Sequence, residues 1–191
     1  MPDLSTRDMI VQRADTLFYE AGYEATSFAD IAAAVGISRG NFYHHFKTKD
    51  DILAAVISLR HQRTEAMLAG WEAEADTPTA CLLGFVRLLI LNRTKIMAHG
   101  CPVGTLCSEL AKLDHVAQPE AAAIMALFRD WLTGQFRAMG RDDAERLALH
   151  LLNWSQGTAV LAATFRDETY LRAEVDRIER WLVALPQTHP I

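Results

Sequence analysis

Thr26-Ser27-Phe28-Ala29-Asp30-Ile31-Ala32, followed after two alanines by Val35-Gly36-Ile37-Ser38-Arg39-Gly40-Asn41-Phe42-Tyr43-His44-His45-Phe46-Lys47-Thr48-Lys49-Asp50, is the stretch on which the reading of this chain turns. Ser27 with Asp30 three residues on has the form of a capping box, Asp standing where Glu is commoner. Phe28, Ile31, Ala32 and Val35 then repeat at helical spacing and face inward. Gly36 ends that helix after two turns, and Ala32 is small where two helices must approach. Ile37 is an apolar anchor, and Ser38 caps a third helix running to about Phe46. A short helix, a tight glycine turn and a second short helix form the helix-turn-helix plan, whose second helix enters the DNA major groove. By spacing alone the same pattern fits a helix pair in an ordinary bundle equally well.

On the DNA reading, Phe42 and Phe46 pin the recognition helix inward, which leaves Arg39, Gly40, Tyr43 and His44 outside. Arg39 can donate two bonds to guanine or one to a phosphate. Gly40 lets the backbone approach DNA closely. Asn41, Tyr43 and His44 can donate to phosphate or to a base edge. Thr26 and Ser27, at a helix N-terminus, can hold a phosphate through hydroxyl and backbone N–H groups, and Lys49 can hold another. His44 and His45 do not make a metal site, because adjacent helical residues point about 100° apart.

Outward from this stretch everything reads as helix, about nine in all, giving an all-α fold. The first runs from about Thr6 to Ala21, with Ile10, Ala14, Leu17 and Phe18 as its apolar stripe and Gly22 as its stop. A long helix follows from about Lys49 to Trp71, then one from about Thr79 to Ala98. Gly100-Cys101-Pro102-Val103-Gly104 interrupts the chain sharply. A short helix to about Leu113 and one from Pro119 to Met139 come next. Two long helices, about Asp142–Phe165 and Thr169–Leu185, close the chain before Pro186. The expected division is a DNA-binding domain over 1–48 and a second helical domain over 49–191.

The totals are consistent with this. The chain has 191 residues, 50% of them hydrophobic and 23% charged, ordinary values for a globular protein. No basic start leads into an apolar run, so no secretory signal is read, and no stretch is apolar enough for a membrane span. Three cysteines in such a chain are expected to be free thiols in a reducing cytoplasm. The net charge of −5 argues against broad nucleic-acid affinity. Even residues 1–65 hold seven Lys or Arg against nine Asp or Glu. Between Arg39 and Lys49, however, there are three basic residues, two histidines and no acid, a small positive patch. Nothing in the sequence calls for a cofactor or a metal.

The quoted stretch resembles the tetracycline-repressor (TetR) family of regulators. These share Ile-Ala, then Gly-Val/Ile-Ser, then Gly-x-(Leu/Phe/Ile)-Tyr-x-His/Tyr-Phe and a Lys before an acidic residue. The resemblance spans about Thr6 to Ala55. It implies an all-α homodimer whose two recognition helices engage a palindromic operator and whose C-terminal domain binds a small-molecule inducer. It also implies DNA-contact roles for Thr26, Ser27, Ser38, Arg39, Gly40, Asn41, Tyr43, His44 and Lys49. In the family the last two long helices form the dimer surface. Leu147, Leu151, Ala159 and Ala162 suit such packing, although a core within one copy would read the same way.

Beyond about residue 70 the resemblance weakens. The run Gly100-Cys101-Pro102-Val103-Gly104-Thr105-Leu106-Cys107-Ser108-Glu109-Leu110 resembles the branch that contains the electrophile-sensing repressor of N-ethylmaleimide reductase. There a matching cysteine senses electrophiles and oxidants, and Cys101 falls at that position, where a helix N-terminus favours thiolate. The plainer reading makes Cys101 and Cys107 small hydrophobes. A disulfide between them is disfavoured, since six helical residues separate them by nearly two turns. Phe85, Leu89, Asn92, Trp131, Phe136, Trp154 and Phe165 are candidate lining for an inducer pocket. Asn92, Asn153, Ser155 and Gln156 are polar on otherwise apolar helices. An enzyme built on Cys101 with His99 or His115, and Asp114 nearby, is the rival from another class. The sequence has no nucleophile elbow, phosphate loop or zinc motif to support it.

Overall fold

The computed structural model describes residues 5–185, apart from the side chain of Arg39. Met1 to Leu4 and Pro186 to Ile191 lie outside the described residues. Ten helices and no strand are present among the described residues: α1 (Thr6–Glu20), α2 (Phe28–Val35), α3 (Arg39–His45), α4 (Lys49–Glu74), α5 (Pro78–Leu91), α6 (Arg93–His99), α7 (Pro102–Lys112), α8 (Gln118–Ala138), α9 (Ala144–Phe165) and α10 (Glu168–Ala184). The all-α expectation holds.

The tenth helix arises at Asn92, where one continuous helix was expected. Asn92 leaves helical geometry (φ −104°, ψ 14°), and its side-chain amide donates to Leu88 O at 3.0 Å. A side chain bonding its own preceding turn competes with the backbone ladder, so α5 stops there and α6 restarts.

The chain packs as two compact units, Met1–Arg63 with Thr105–Ala123, and Thr64–Gly104 with Ile124–Ile191. In the first, α1 buries Ile10, Val11, Ala14 and Phe18, and α2 packs against it through the fully buried Ile31. Asp15 on α1 holds Arg60 of α4 at 2.6 Å and Arg63 at 3.0 Å. In the second unit α10 lies along α5, and α6 lies against α9. Leu147, Leu151, Ala159 and Ala162 of α9 are buried in this unit's own core. The residues read from sequence as suiting a dimer contact are thus core residues of one copy. The exposed face of α9 is a different stripe, carrying Leu149, Asn153, Gly157, Val160 and Thr164 with Leu161 and Phe165 beside it.

No helix among the described residues is long and apolar enough to cross a membrane.

Candidate nucleic-acid interface

The two short helices are held by their ends. α2 has eight residues and α3 seven, lengths that are marginal in water without help. Ser27 caps α2 in a complete box: its hydroxyl accepts from Asp30 N–H at 3.1 Å, and Asp30 Oδ2 accepts from Ser27 N–H at 2.8 Å. The hydrogen bond from the Ser27 side chain, and then that from its backbone, hold the Asp30 carboxyl below the ordinary carboxylate range. Gly36 closes α2 in the left-handed region (φ 73°), which only glycine adopts freely. Ser38 then caps α3 by accepting from Asn41 N–H. Thr48 and Asp51 make a second reciprocal box at the start of α4.

With the ends fixed, the faces of α3 separate cleanly. Phe42 is fully buried and Phe46 nearly so, as expected from their spacing. Gly40, Asn41, Tyr43 and His44 are exposed on the other side. The Tyr43 ring, half exposed, stacks on Phe28 of α2 at 5.1 Å between centroids and 25° between planes. Phe28 also meets Phe42 edge-on at 4.6 Å. It therefore sets the angle at which Tyr43 is presented, a role that its apolar character in the sequence concealed. Lys47 donates from Nζ to Tyr43 O at 2.5 Å, satisfying a carbonyl at the end of α3. Arg7 lies over the Phe46 ring at 5.0 Å, tying the first turn of α1 to the same end. The Arg39 side chain lies outside the described residues.

Three of the expected phosphate contacts have other duties. Thr26 is buried, 2% exposed, and its hydroxyl donates to Gly22 O at 2.6 Å. It fixes the turn after α1 and does not face solvent. Ser27 is exposed, but its N–H and hydroxyl are committed to Asp30. Lys49 donates to Tyr23 O at 3.0 Å and to Glu24 O at 3.4 Å, with its ammonium 4.2 Å from the Tyr23 ring centroid. A lysine spent on carbonyls and a π face is a structural clamp, so the outward set, Arg39 aside, contracts to Ser38, Gly40, Asn41, Tyr43 and His44.

The residues read as ligand-lining do not gather as one group. Asn92 is exposed and bonds its own helix, which removes it from a pocket. Phe165 is exposed as well. Phe85 is buried against Phe128, with ring centroids 5.7 Å apart. Trp131 packs on Trp71 at 5.6 Å, and its buried indole N–H has no hydrogen-bond partner among the described residues. Trp154 donates instead towards Glu174 of α10. Cys101 Sγ accepts from Gly104 N–H at 3.4 Å and from Gln156 Nε2 at 3.6 Å, which places the sulfur as the cap of α7. Cys107 is half-buried, and none of the three cysteines is in a disulfide. His115 packs edge-on against Tyr23 and lies 3.7 Å from Asp50, so it has partners in the first unit that a nucleophilic set with Cys101 does not include.

Known proteins share the sequence pattern and the fold. Residues 10–56 match the family model for bacterial regulatory proteins of the tetR family, and residues 89–176 match the C-terminal domain of LmrA/YxaF-like transcriptional regulators. The chain belongs to the TetR family of transcriptional regulators. This is a family of DNA-binding regulators and not of enzymes, which sets aside the cysteine-nucleophile reading. Among TetR-family relatives, the regulator TtgR of Pseudomonas putida is 28% identical over 193 residues, covering 93% of this chain and 88% of its own. A TetR regulator from Legionella pneumophila superposes with a TM-score of 0.84 at 27% identity, over 95% of this chain and 99% of its own. The reduced form of Escherichia coli NemR superposes with a TM-score of 0.79 over 92% of this chain and 96% of its own. At 13% identity that likeness is one of fold alone.

Proposed function

We propose that this TetR-family regulator is a repressor that binds a palindromic operator as a homodimer and is released by a small-molecule inducer. In this reading residues 1–48 are the DNA-binding domain and 49–191 the ligand-binding and dimerisation domain, and the protein works in the cytoplasm where its operator is. The observation that carries the DNA reading is the exposed face of α3, on which Tyr43 is held by its stack on Phe28 beside Asn41 and His44. Arg39 at the first position of α3 adds a positive charge to that helix's first turn. Because the first 65 residues are not basic overall, affinity rests on a few local contacts doubled by the dimer.

Dimerisation is assigned to α9 and α10 of two copies. Its support is the exposed apolar stripe of α9, where Val160 is 61% and Phe165 66% exposed and where a Cβ on Gly157 would meet nothing within 4 Å. Small and apolar residues at helical spacing let a second copy approach closely. The inducer is assigned to the second unit, with Phe85 and Trp131 in its wall. The unpartnered Trp131 N–H offers a donor to a ligand carrying an acceptor atom.

The test uses a duplex selected by the wild-type protein from a random library. Arg39→Ala and Tyr43→Ala are expected to weaken binding while sedimentation still reports a dimer. Unchanged affinity in both variants would show that α3 does not read DNA.

A further inference from the structure

The Gly100–Leu110 run ends in Glu109 and Leu110, and the DNA-reading site uses neither. Leu110 is fully buried. Glu109, on α7, turns its carboxylate to the connection between α1 and α2, all within the first unit. Tyr23 N–H donates to Glu109 Oε2 at 2.9 Å, and Glu24 N–H donates to Oε1 at 2.9 Å. Gly22 makes room for this contact: at φ 94° it turns the chain, and a Cβ there would stand 3.0 Å from Glu109 Oε1. From the same two residues, Lys49 takes the carbonyls of Tyr23 and Glu24. The Tyr23 hydroxyl donates to Asp50 Oδ1 at 2.5 Å, and the His115 ring closes on Tyr23 at 5.2 Å. The connection is thus gripped through its N–H groups by α7 and through its carbonyls by α4. It then runs straight into Thr26, buried, and Ser27, the cap of α2.

We infer that Glu109 is a positioning residue for DNA binding: by holding the Tyr23–Glu24 peptides it fixes the entry of α2, and with it the placement of α3. A carboxylate receiving two backbone N–H groups is a strong, charge-assisted pair of bonds, and among the described residues no other side chain takes those two donors. Without it the short helices keep their caps but sample more orientations, so only a fraction of molecules present α3 correctly at any moment. No phosphate contact is lost, so the effect differs in kind from removing a lysine or arginine. The inference rests on α3 being the DNA reader, and the experiment separates the two.

Full-length wild type, Glu109→Ala, Glu109→Gln, Arg39→Ala and Tyr43→Ala are titrated against the selected duplex by fluorescence anisotropy at several salt concentrations. Circular dichroism first establishes that each protein is folded at the working temperature. Glu109→Ala is expected to bind about tenfold more weakly, with an unchanged slope of log affinity against log salt. Glu109→Gln keeps the shape and one acceptor but turns an NH2 group to the second N–H, so it falls between. Amide exchange should quicken at Tyr23, Glu24 and α2 and stay unchanged in α9 and α10. A folded Glu109→Gln that exchanges faster at Tyr23 yet keeps wild-type affinity overturns the inference, as does a shallower salt slope in Glu109→Ala. Should Tyr43→Ala and Arg39→Ala both bind like wild type, the recognition-helix reading fails instead.

Discussion

The two units of this chain use their polar side chains in opposite ways. In the first, polar groups mostly bind backbone: Ser27, Ser38 and Thr48 cap helices, Thr26 and Lys49 take carbonyls, and Glu109 takes two N–H groups. In the second, polar side chains mostly bind one another: Arg87 with Glu179, Arg93 with Glu168, Gln135 with Glu72, and Arg177 with Glu174. Helix length explains the difference. The helices α8, α9 and α10 have 21, 22 and 17 residues and are held by burying an apolar face. The eight and seven residues of α2 and α3 bury too little to hold themselves, so their ends must be tied. A recognition helix has to stay short and exposed on one side to reach DNA, and local hydrogen bonds are the means of keeping it ordered.

The sharpest way to break the comparison is to remove the little burial that α3 has. Phe42→Ala deletes a fully buried ring and is expected to cost about 3–5 kcal/mol, as large-to-small core changes do. Urea denaturation should show the loss, with DNA binding abolished; a cost below about 1 kcal/mol would mean that the caps alone hold the helix. Next in size, Ser27→Ala combined with Ser38→Ala removes both caps of the helix-turn-helix and should cost about 1 kcal/mol for each. If the double variant unfolds like wild type, the claim that end-tying sustains the first unit is wrong.

Acid probes the same ties without mutation. Asp30 is held below the ordinary carboxylate range by Ser27, and Asp51 by the backbone and side chain of Thr48. A carboxyl whose folded pKa is depressed contributes stability that is present above its unfolded pKa and lost as pH falls through the folded one. Both boxes should therefore be intact at neutral pH and fail below about pH 4. Amide exchange across α2 and the start of α4 would then quicken before that of α9. Asp30→Asn should flatten this response in α2; an unaltered acid profile would remove the capping explanation.

Smaller effects belong to the second unit. Glu179→Ala breaks an ion pair whose arginine is more than half exposed and should change stability by about 0–1 kcal/mol. A loss of several kcal/mol there would erase the contrast between the units. Smallest of all is Cys101→Ser, which replaces a capping sulfur with a capping hydroxyl. Its unfolding midpoint should match wild type, with a shift within about 0.5 kcal/mol.

What was legible in the sequence follows from how far apart the partners are. Ser27 with Asp30, Gly36, and Phe42 with Phe46 declare themselves within a few residues, because capping, left-handed turns and helical faces are local physics. The family pattern, running without a gap from Val35 to Asp50, settled what spacing left open. Other features were hidden. Thr26 reads as a helix opener, and only the fold shows its hydroxyl turned to Gly22 O. Lys49 reads as a phosphate ligand, yet the carbonyls it takes are 25 and 26 residues away. Asn92 carries no proline or glycine to announce a break. On α9, large and small apolar residues occur all round the helix, so periodicity could not separate the buried stripe through Leu151 from the exposed one through Val160.

The Tyr23–Glu109 contact joins residues 86 apart in the chain, and that separation has a consequence in time. A ribosome adding about 5–20 residues per second needs roughly 4–17 s to travel it. During that interval the nascent chain carries a capped helix-turn-helix without the carboxylate that steadies its entry. A truncated product ending before α7 would keep the exposed face of α3 and lack the carboxylate inferred to aim it. The tie that orders the entry of the helix-turn-helix thus arrives only after more than half the protein has been made.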